Sequence, residues 1–456
     1  MDRRQFLRSG LLASAGVALA TPPGAYASTA VPGAGPYGPL GEPDANGIRL
    51  PAGFTSRRLA TSLLPVALTG YVWHMFPDGG ACFPAEDGGW VYVSNSEVPG
   101  GLGGAGALRF DAAGEVADAY SILTGTSTNC AGGPTPWGTW LSCEETAAGR
   151  VWECDPLGQR PAVVRPALGS FPHEAVAVDP VRQRLYLTED EGDGRLYRFT
   201  PAAYPDLDAG VLEVLAAAAD EGPVTWLRVP DPAAAATPTR QQVPASKPFD
   251  GGEGIWCEDG FVYFTTKGTN RVWLLDAATD RLAVLYDGEA LDEPPLSGVD
   301  NVQVHRSGDV FVAEDGGSMH LCLITPDRVV ARFLQVTEQD ASELAGPAFD
   351  PSGTRLYLSS QRGGDVSQPG LPGSGFGVTY EITGPFRTGA AEPALGDEGA
   401  PAPFVPSTQP RLPPPRRGGG SVLAATGGGA GAAWGLGLLG AALALRQRAT
   451  GDLLAR

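Results

Sequence analysis

A short run of β-favouring residues, closed by a small hydroxyl or an alanine and then by polar or charged groups, recurs six times along this chain. The copies are WVYVSNSE (90–97), TWLSCEE (139–145), LYLTEDEGDG (185–194), VYFTTKG (262–268), VFVAEDGG (310–317) and LYLSSQRGG (356–364). Their equivalent residues, Val93, Leu141, Leu187, Phe264, Val312 and Leu358, lie 48, 46, 77, 48 and 46 residues apart. The apolar period within each copy is two, which excludes a helical solenoid. A unit of this size, made of short strands and Gly/Asp turns, needs neighbours to cover its apolar faces, and a ring of blades supplies them. Six copies therefore predict an all-β, six-bladed propeller with four strands per blade. The one long interval holds an Ala/Pro-rich segment around 216–248 and is read as an insertion.

The other strands can be placed from the same repeat. HEAVAVDP (173–180), EGIWCEDG (253–260) and DNVQVHRSG (300–308) each precede a repeated strand and are expected to be the innermost of their blades. GRLYRF (194–199), NRVWLLD (270–276) and MHLCLI (319–324) follow as third strands. The 64 glycines and 42 prolines agree with a turn-rich β fold.

Both ends read as addresses rather than as fold. Residues 1–27 carry paired arginines, Arg3 and Arg4, then Phe6 and Leu7, a modest apolar run and Ala25-Tyr26-Ala27, and resemble a twin-arginine signal peptide, the route for proteins exported already folded. Residues 28–48 are expected to be a linker, 49–388 the propeller, and 389–422 a Pro/Gly-rich stalk. Residues 423–456 begin with LAATG (423–427), continue as an Ala/Gly/Leu-rich run over 428–445, and carry Arg446 and Arg448. That order resembles a cell-wall sorting signal cut between Thr426 and Gly427; a simple membrane anchor is the alternative, although glycines weaken the run as a permanent span. Either way the expected location is extracellular, at the cell surface, as a monomer. The formal net charge of −19 would repel phosphate backbones and anionic lipid, so a nucleic-acid partner is not expected.

In a propeller blade the first strand is innermost and antiparallel to the second, so the start of the first and the end of the second share one face. The acids fall in these two places. Glu174, Glu253 and Asp300 open first strands; Glu97, Glu144, Glu145, Glu189, Asp190, Glu314 and Asp315 close second strands. Counting back from Leu141 sets Cys130 at a first-strand start as well. So many anions around one channel mouth would repel one another unless cations neutralised them. Oxygen-rich sets suit calcium, whereas a thiolate among carboxylates suits iron or zinc.

The six cysteines of an exported chain could also pair, and the spacing leaves Cys130 open to ligation or to a disulfide with Cys143. Cys154, Cys257 and Cys322 lie in or beside strands and read as buried or bridged. Of the four histidines, His173 adjoins Glu174 and could orient it, while His74, His305 and His320 form no ligand pair at helical spacing. No catalytic triad and no phosphate-cradling loop between a strand and a helix is present in the sequence.

The block TNCAGGPTPWGTWLSCEE (128–145), with Glu174 in PHEAVAVDP, Glu253 in EGIWC, and DNVQVHRSGDVFVAEDGG (300–317), resembles the PhoX-type alkaline phosphatases, exported bacterial propellers, over most of residues 70–385. The resemblance implies a channel-mouth cluster of calcium and iron that hydrolyses small-molecule phosphate esters. Carried over residue by residue, Cys130 is the thiolate for iron and Glu174 and Glu253 are carboxylate ligands, with Glu144, Glu97 and Asp315 added from motif and register. One position departs: Gly251 and Gly252 stand where family members carry an arginine and a proline, the arginine contacting phosphate. Lys267 or Arg362 is expected to supply the missing cation. The competing readings are a calcium-dependent lactonase-like hydrolase and a non-catalytic, calcium-stabilised binding propeller.

Overall fold

The computed structural model describes residues 29–363 and 376–388. The expected signal peptide, stalk and sorting segment lie outside the described residues; among those described, no helix is long and apolar enough to cross a membrane.

Among the described residues there are six sheets, each running outward from one inner strand through antiparallel neighbours. Blade I is Pro77–Pro84, Trp90–Ser96, Gly103–Phe110 and Val116–Thr126. Blade II is Asn129–Pro134, Trp140–Glu144, Val151–Cys154 and Val163–Val164. Blade III comprises His173–Asp179, Arg184–Glu189, Leu196–Ala203 and Asp206–Ala216; blade IV, Gly252–Glu258, Phe261–Thr266, Arg271–Asp276 and Arg281–Asp287. Blade V runs Val299–Val304, Val310–Glu314, His320–Ile324 and Val329–Val336, and blade VI is Leu344–Phe349, Arg355–Ser360, Val378–Thr383 and then Thr55–Thr61. Inner strands touch in sequence around the ring, and that of blade VI touches that of blade I.

The outer strand of blade VI thus comes from the opposite end of the domain. Thr55–Thr61 pairs antiparallel with Val378–Thr383, Thr61 facing Val378 and Thr55 facing Thr383. This fastens the first and last parts of the propeller and closes the ring. The expected linker is engaged too, since Val31–Pro32 runs parallel to Val329–Val330 and Ile48–Arg49 pairs with Val336 and Gln335 on blade V. The insertion is built onto the rim: Thr225–Arg228 adds a fifth strand to blade III, and Gly222–Pro223 adds one to blade IV.

Six apolar clusters fill the six gaps between blades, because period-two strands turn one face to each neighbour. Between blades I and II, for instance, Val91, Val93 and Ala107 meet Trp140 and Cys154. All six cysteines are free thiols, so the alternative of a Cys130–Cys143 disulfide does not hold; Cys143 lies wholly buried in the apolar gap between blades II and III.

Candidate metal centre

Every inner strand carries a β-bulge near its start. In blades I to V the bulge pair is Asp78-Gly79, Cys130-Ala131, Glu174-Ala175, Glu253-Gly254 and Asp300-Asn301, each facing a single residue of the second strand. A bulge breaks the strict alternation of faces and re-aims one side chain. Here it presents an acid or a thiol from five successive blades. In blade VI the bulge falls later, at Gly346-Pro347, and Glu343, just ahead of the strand, reaches the same cluster.

In blades I to IV the residue after the ligand is glycine or alanine, because the inner strands converge there. A Cβ on Gly79 would lie 2.4 Å from the Ala131 Cα of the next blade. Beneath the cluster Gly79, Ala131, Ala175, Gly254, Asn301 and Gly346 leave a cavity of only about 30 Å³ along the axis. The mouth therefore rests on a closed floor. Side chains opposite the bulges tie it to the neighbouring blade: Asn95 donates to the Cys130 carbonyl at 3.2 Å, Thr188 to that of Glu253 at 2.5 Å, and Thr265 to that of Asp300 at 2.5 Å. In blades III and IV this is the work of the recurring hydroxyl in the repeat.

A second ring lies at the ends of the second strands. One backbone hydrogen bond recurs in all six blades, from Glu97 N to Phe76 O, Glu145 N to Thr128 O, Asp190 N to Pro172 O, Lys267 N to Gly251 O, Asp315 N to Gly298 O and Gln361 N to Glu343 O, at 2.8 to 3.2 Å. It makes those six donors structurally equivalent. Four are acids, one is an amide and one is a lysine.

These rings meet in four groups whose ligand atoms lie within 4.8 Å of one another: Cys130 with Glu145 and Glu174; Asp78 with Glu97 and Glu343; Glu174 with Glu253 and Asp300; and Asp300 with Asp315 and Glu343. The expected ligands Cys130, Glu174, Glu253, Glu97 and Asp315 are thus gathered at one mouth. Glu144 is not. It faces back into blade II, accepting from Ser127 N at 3.0 Å and from Trp152 Nε1 at 3.0 Å, and its neighbour Glu145 takes the mouth position. Glu189 and Glu314 behave as Glu144 does, the first held by Tyr197 Oη at 2.7 Å and the second by His320 N at 2.8 Å. The next residue of each strand, Asp190 or Asp315, sits in the mouth ring. Consequently Glu145→Gln should lower bound metal, whereas Glu144→Gln should leave it unchanged; elemental analysis of the two purified variants checks this.

Asp78 and Glu343 complete the set and were not foreseen. Gln361 donates to both Asp78 Oδ2, at 2.5 Å, and Glu97 Oε2, at 2.7 Å. Lys267 Nζ lies 2.8 Å from Glu253 Oε1, 3.0 Å from Asp315 Oδ2 and 3.7 Å from Asp300 Oδ2. Arg362 Nη1 lies 2.8 Å from Glu343 Oε2. Both cations expected to face phosphate are therefore at the mouth, bound to carboxylates.

The electrostatics are those of an under-neutralised cluster. Burial, then the charges of Glu253, Glu145, Asp300 and Asp78, push the Glu174 carboxyl well above its usual range. Asp78 is raised by burial and then by Glu97 and Asp300, and Glu343 by burial in spite of Arg362. Burial lifts Asp300 to about 6 although Lys267 opposes it. Burial likewise raises Cys130, with Asp78, Glu174, Glu145 and Glu97 adding to it. Asp315 differs: burial acts upward, but Lys267, a hydrogen bond with Glu343 and Arg362 outweigh it and bring the carboxyl down to about 2. Glu174 is the most exposed to this imbalance in energy, since it is inaccessible to solvent and neither carboxylate oxygen has a hydrogen-bond partner. Such a group costs several kcal/mol unless a cation meets it. His173, beside it, does not orient it: its Nε2 lies 3.4 Å from Gly169 O and its ring stacks near Phe171.

The family model for the alkaline phosphatase PhoX matches residues 101–153 and 146–289. Over that stretch the chain is similar to the PhoX-type alkaline phosphatases. A solved structure of PhoX from Pseudomonas fluorescens, in complex with the transition-state analogue vanadate, is similar at 17% identity and a TM-score of 0.62, covering 79% of this chain and 98% of that one. At that identity the likeness speaks to the fold. Weaker likenesses include a streptogramin B lyase (12% identity, TM-score 0.42, 73% of this chain and 98% of that one) and a gluconolactonase from Xanthomonas campestris (15%, 0.41, 77% and 99%). No functionally curated protein matches the sequence.

Proposed function

We propose that this propeller is a metal-dependent phosphatase acting on small-molecule phosphate esters at the channel mouth. The observation that carries the reading is the Glu174 carboxylate, buried with both oxygens unpartnered between the Cys130/Glu145 and Glu253/Asp300 groups. The donor sets fit metal ions of two kinds. Cys130, Glu145 and Glu174 combine a sulfur with carboxylates and suit iron, while Asp78, Glu97 and Glu343, and Glu174, Glu253 and Asp300, are all-oxygen sets that suit calcium. The ions would supply positive charge for the phosphoryl oxygens in the transition state and lower the pKa of a nucleophilic oxygen.

The chain itself does the rest. Bulges hold the ligands in register, and the closed floor confines chemistry to one face. Gln361 keeps Asp78 and Glu97 together. Arg362 is the phosphate-facing cation in this proposal, because a planar guanidinium matches phosphate oxygens as a fork. A calcium-only lactonase has no need of a thiolate in its ligand set, which favours the phosphatase reading. We further place the enzyme outside the cytoplasmic membrane, exported folded and held at the surface by its C-terminal segment.

The test is elemental analysis of the purified domain beside hydrolysis of p-nitrophenyl phosphate with and without chelator. Iron together with calcium and a chelator-sensitive phosphatase are expected. Calcium alone, with hydrolysis of lactones and none of phosphate esters, would replace this reading with the lactonase one.

A further inference from the structure

The mouth ring has one position of inverted charge. Glu97, Glu145, Asp190 and Asp315 stand where blade IV places Lys267, by the hydrogen bond common to all six blades. The lysine does not turn outward to water. Its ammonium lies among Glu253 at 2.8 Å, Asp315 at 3.0 Å and Asp300 at 3.7 Å, three carboxylates from two blades. An ammonium has three N–H donors and no acceptor, so three surrounding carboxylates match it as they would a small cation. Among the described residues no lysine or arginine makes an ion pair with Glu174 or Asp78.

The backbone beneath Lys267 supports this placement. Gly251 accepts the Lys267 N–H at 2.8 Å and has φ +64, in the left-handed region. A Cβ there would lie 3.6 Å from the Lys267 Cβ and 3.5 Å from Asp190 Oδ1. A side chain on residue 251 would carry a strained backbone. The glycine and the lysine are complementary.

We propose that the Lys267 ammonium is a built-in cation that occupies a metal position between Glu253, Asp300 and Asp315, so that the Asp300/Asp315/Glu343 group holds no metal ion of its own. The inference rests on the metal-centre reading above and deepens it. Asp315, expected as a metal ligand, holds the ammonium instead, and Lys267 neutralises the cluster rather than binding phosphate.

Lys267→Met keeps the length of the side chain and removes its charge. After equilibrium dialysis against calcium, this variant should hold one more calcium per chain than the wild type by elemental analysis, and calorimetric titration should show the added site. Lys267→Arg should match the wild type. Equal calcium in Lys267→Met and wild type would overturn the proposal. Asp315→Asn gives an independent reading that does not depend on removing the lysine: its metal content should equal that of the wild type, and loss of one equivalent would also overturn it. A wild type that binds no metal at all would sink the phosphatase reading, whereas the difference between wild type and Lys267→Met decides the lysine.

Discussion

Glu174→Gln is expected to reduce hydrolysis of p-nitrophenyl phosphate by at least about 100-fold, to lower the metal bound per chain, and yet to melt at a higher temperature than the wild type once both are stripped of metal. The first two effects follow from taking away a ligand shared by two of the four ligand groups, since even partners of ligands change metal affinity or activity by about 10- to 100-fold. The third has a separate cause. Without metal, the wild type buries a carboxylate with no hydrogen bond to either oxygen, next to Glu253, Glu145 and Asp300. A neutral amide of the same shape removes that repulsion and desolvation. Differential scanning calorimetry on chelated and reloaded protein separates the effects. A chelated variant that melts below chelated wild type would mean that Glu174 stabilises the metal-free fold, and the site argument built on its bare oxygens would fail.

Such opposite signs distinguish a site from a scaffold, and they bear on what the sequence could disclose. The repeat spacing was enough for blade number, because six copies of a period-two strand have few ways to cover one another. Closure of the ring was not legible: Thr55–Thr61 reads TSRRLAT, with charged residues that carry no mark of an outer strand, and its partner lies more than 300 residues away. Four of the inner-ring residues, Cys130, Glu174, Glu253 and Asp300, could be placed by counting back from the repeat. Asp78 was hidden in PDGG, which spells a turn, and the bulge adds a residue that simple counting does not expect. Glu343 was hidden because blade VI shifts its bulge by one residue and Glu343 stands two residues ahead of the position the other blades use for their ligand.

The choice of Glu144 over Glu145 failed for a related reason. Adjacent strand residues point to opposite faces, so an error of one residue exchanges a ligand for a strand cap. The signal was present in the doublets Glu144-Glu145, Glu189-Asp190 and Glu314-Asp315, whose first member in each case hydrogen-bonds inside its own blade. Motif resemblance gave the centre of the site, but it also led Lys267 to be read as a phosphate contact. The three carboxylates around the ammonium come from residues 253, 300 and 315, and only the fold brings them together.

Metal-free protein should lose stability as pH rises from about 4 to 8, the reverse of ordinary acid unfolding. The sign follows from proton binding. Asp300 has an ordinary value of 3.8 when unfolded and about 6 in the fold, so between those values the native state holds more protons than the unfolded one, and stability falls with rising pH. A rise of that size costs on the order of 3 kcal/mol above pH 6. Glu174, Asp78, Glu253 and Glu343 are raised in the same direction, by burial first in each case. Asp315, held down to about 2, acts oppositely only below the window of interest, while His74 and His173, which burial holds down to about 3, act oppositely below about pH 6.5 and are outnumbered by the five raised carboxyls. Bound cations favour the ionised carboxylates, so loaded protein should not follow the decline, and the gap between loaded and stripped melting temperatures should widen with pH. Protein stripped at pH 8 and exchanged into buffers at pH 4.5, 6 and 8 is expected to melt highest at the most acidic of these, by about 5 °C or more over pH 8. Equal melting temperatures at pH 4.5 and 8 would show that the carboxylates at the mouth are neutralised without metal, and would remove the electrostatic reason for a cation there.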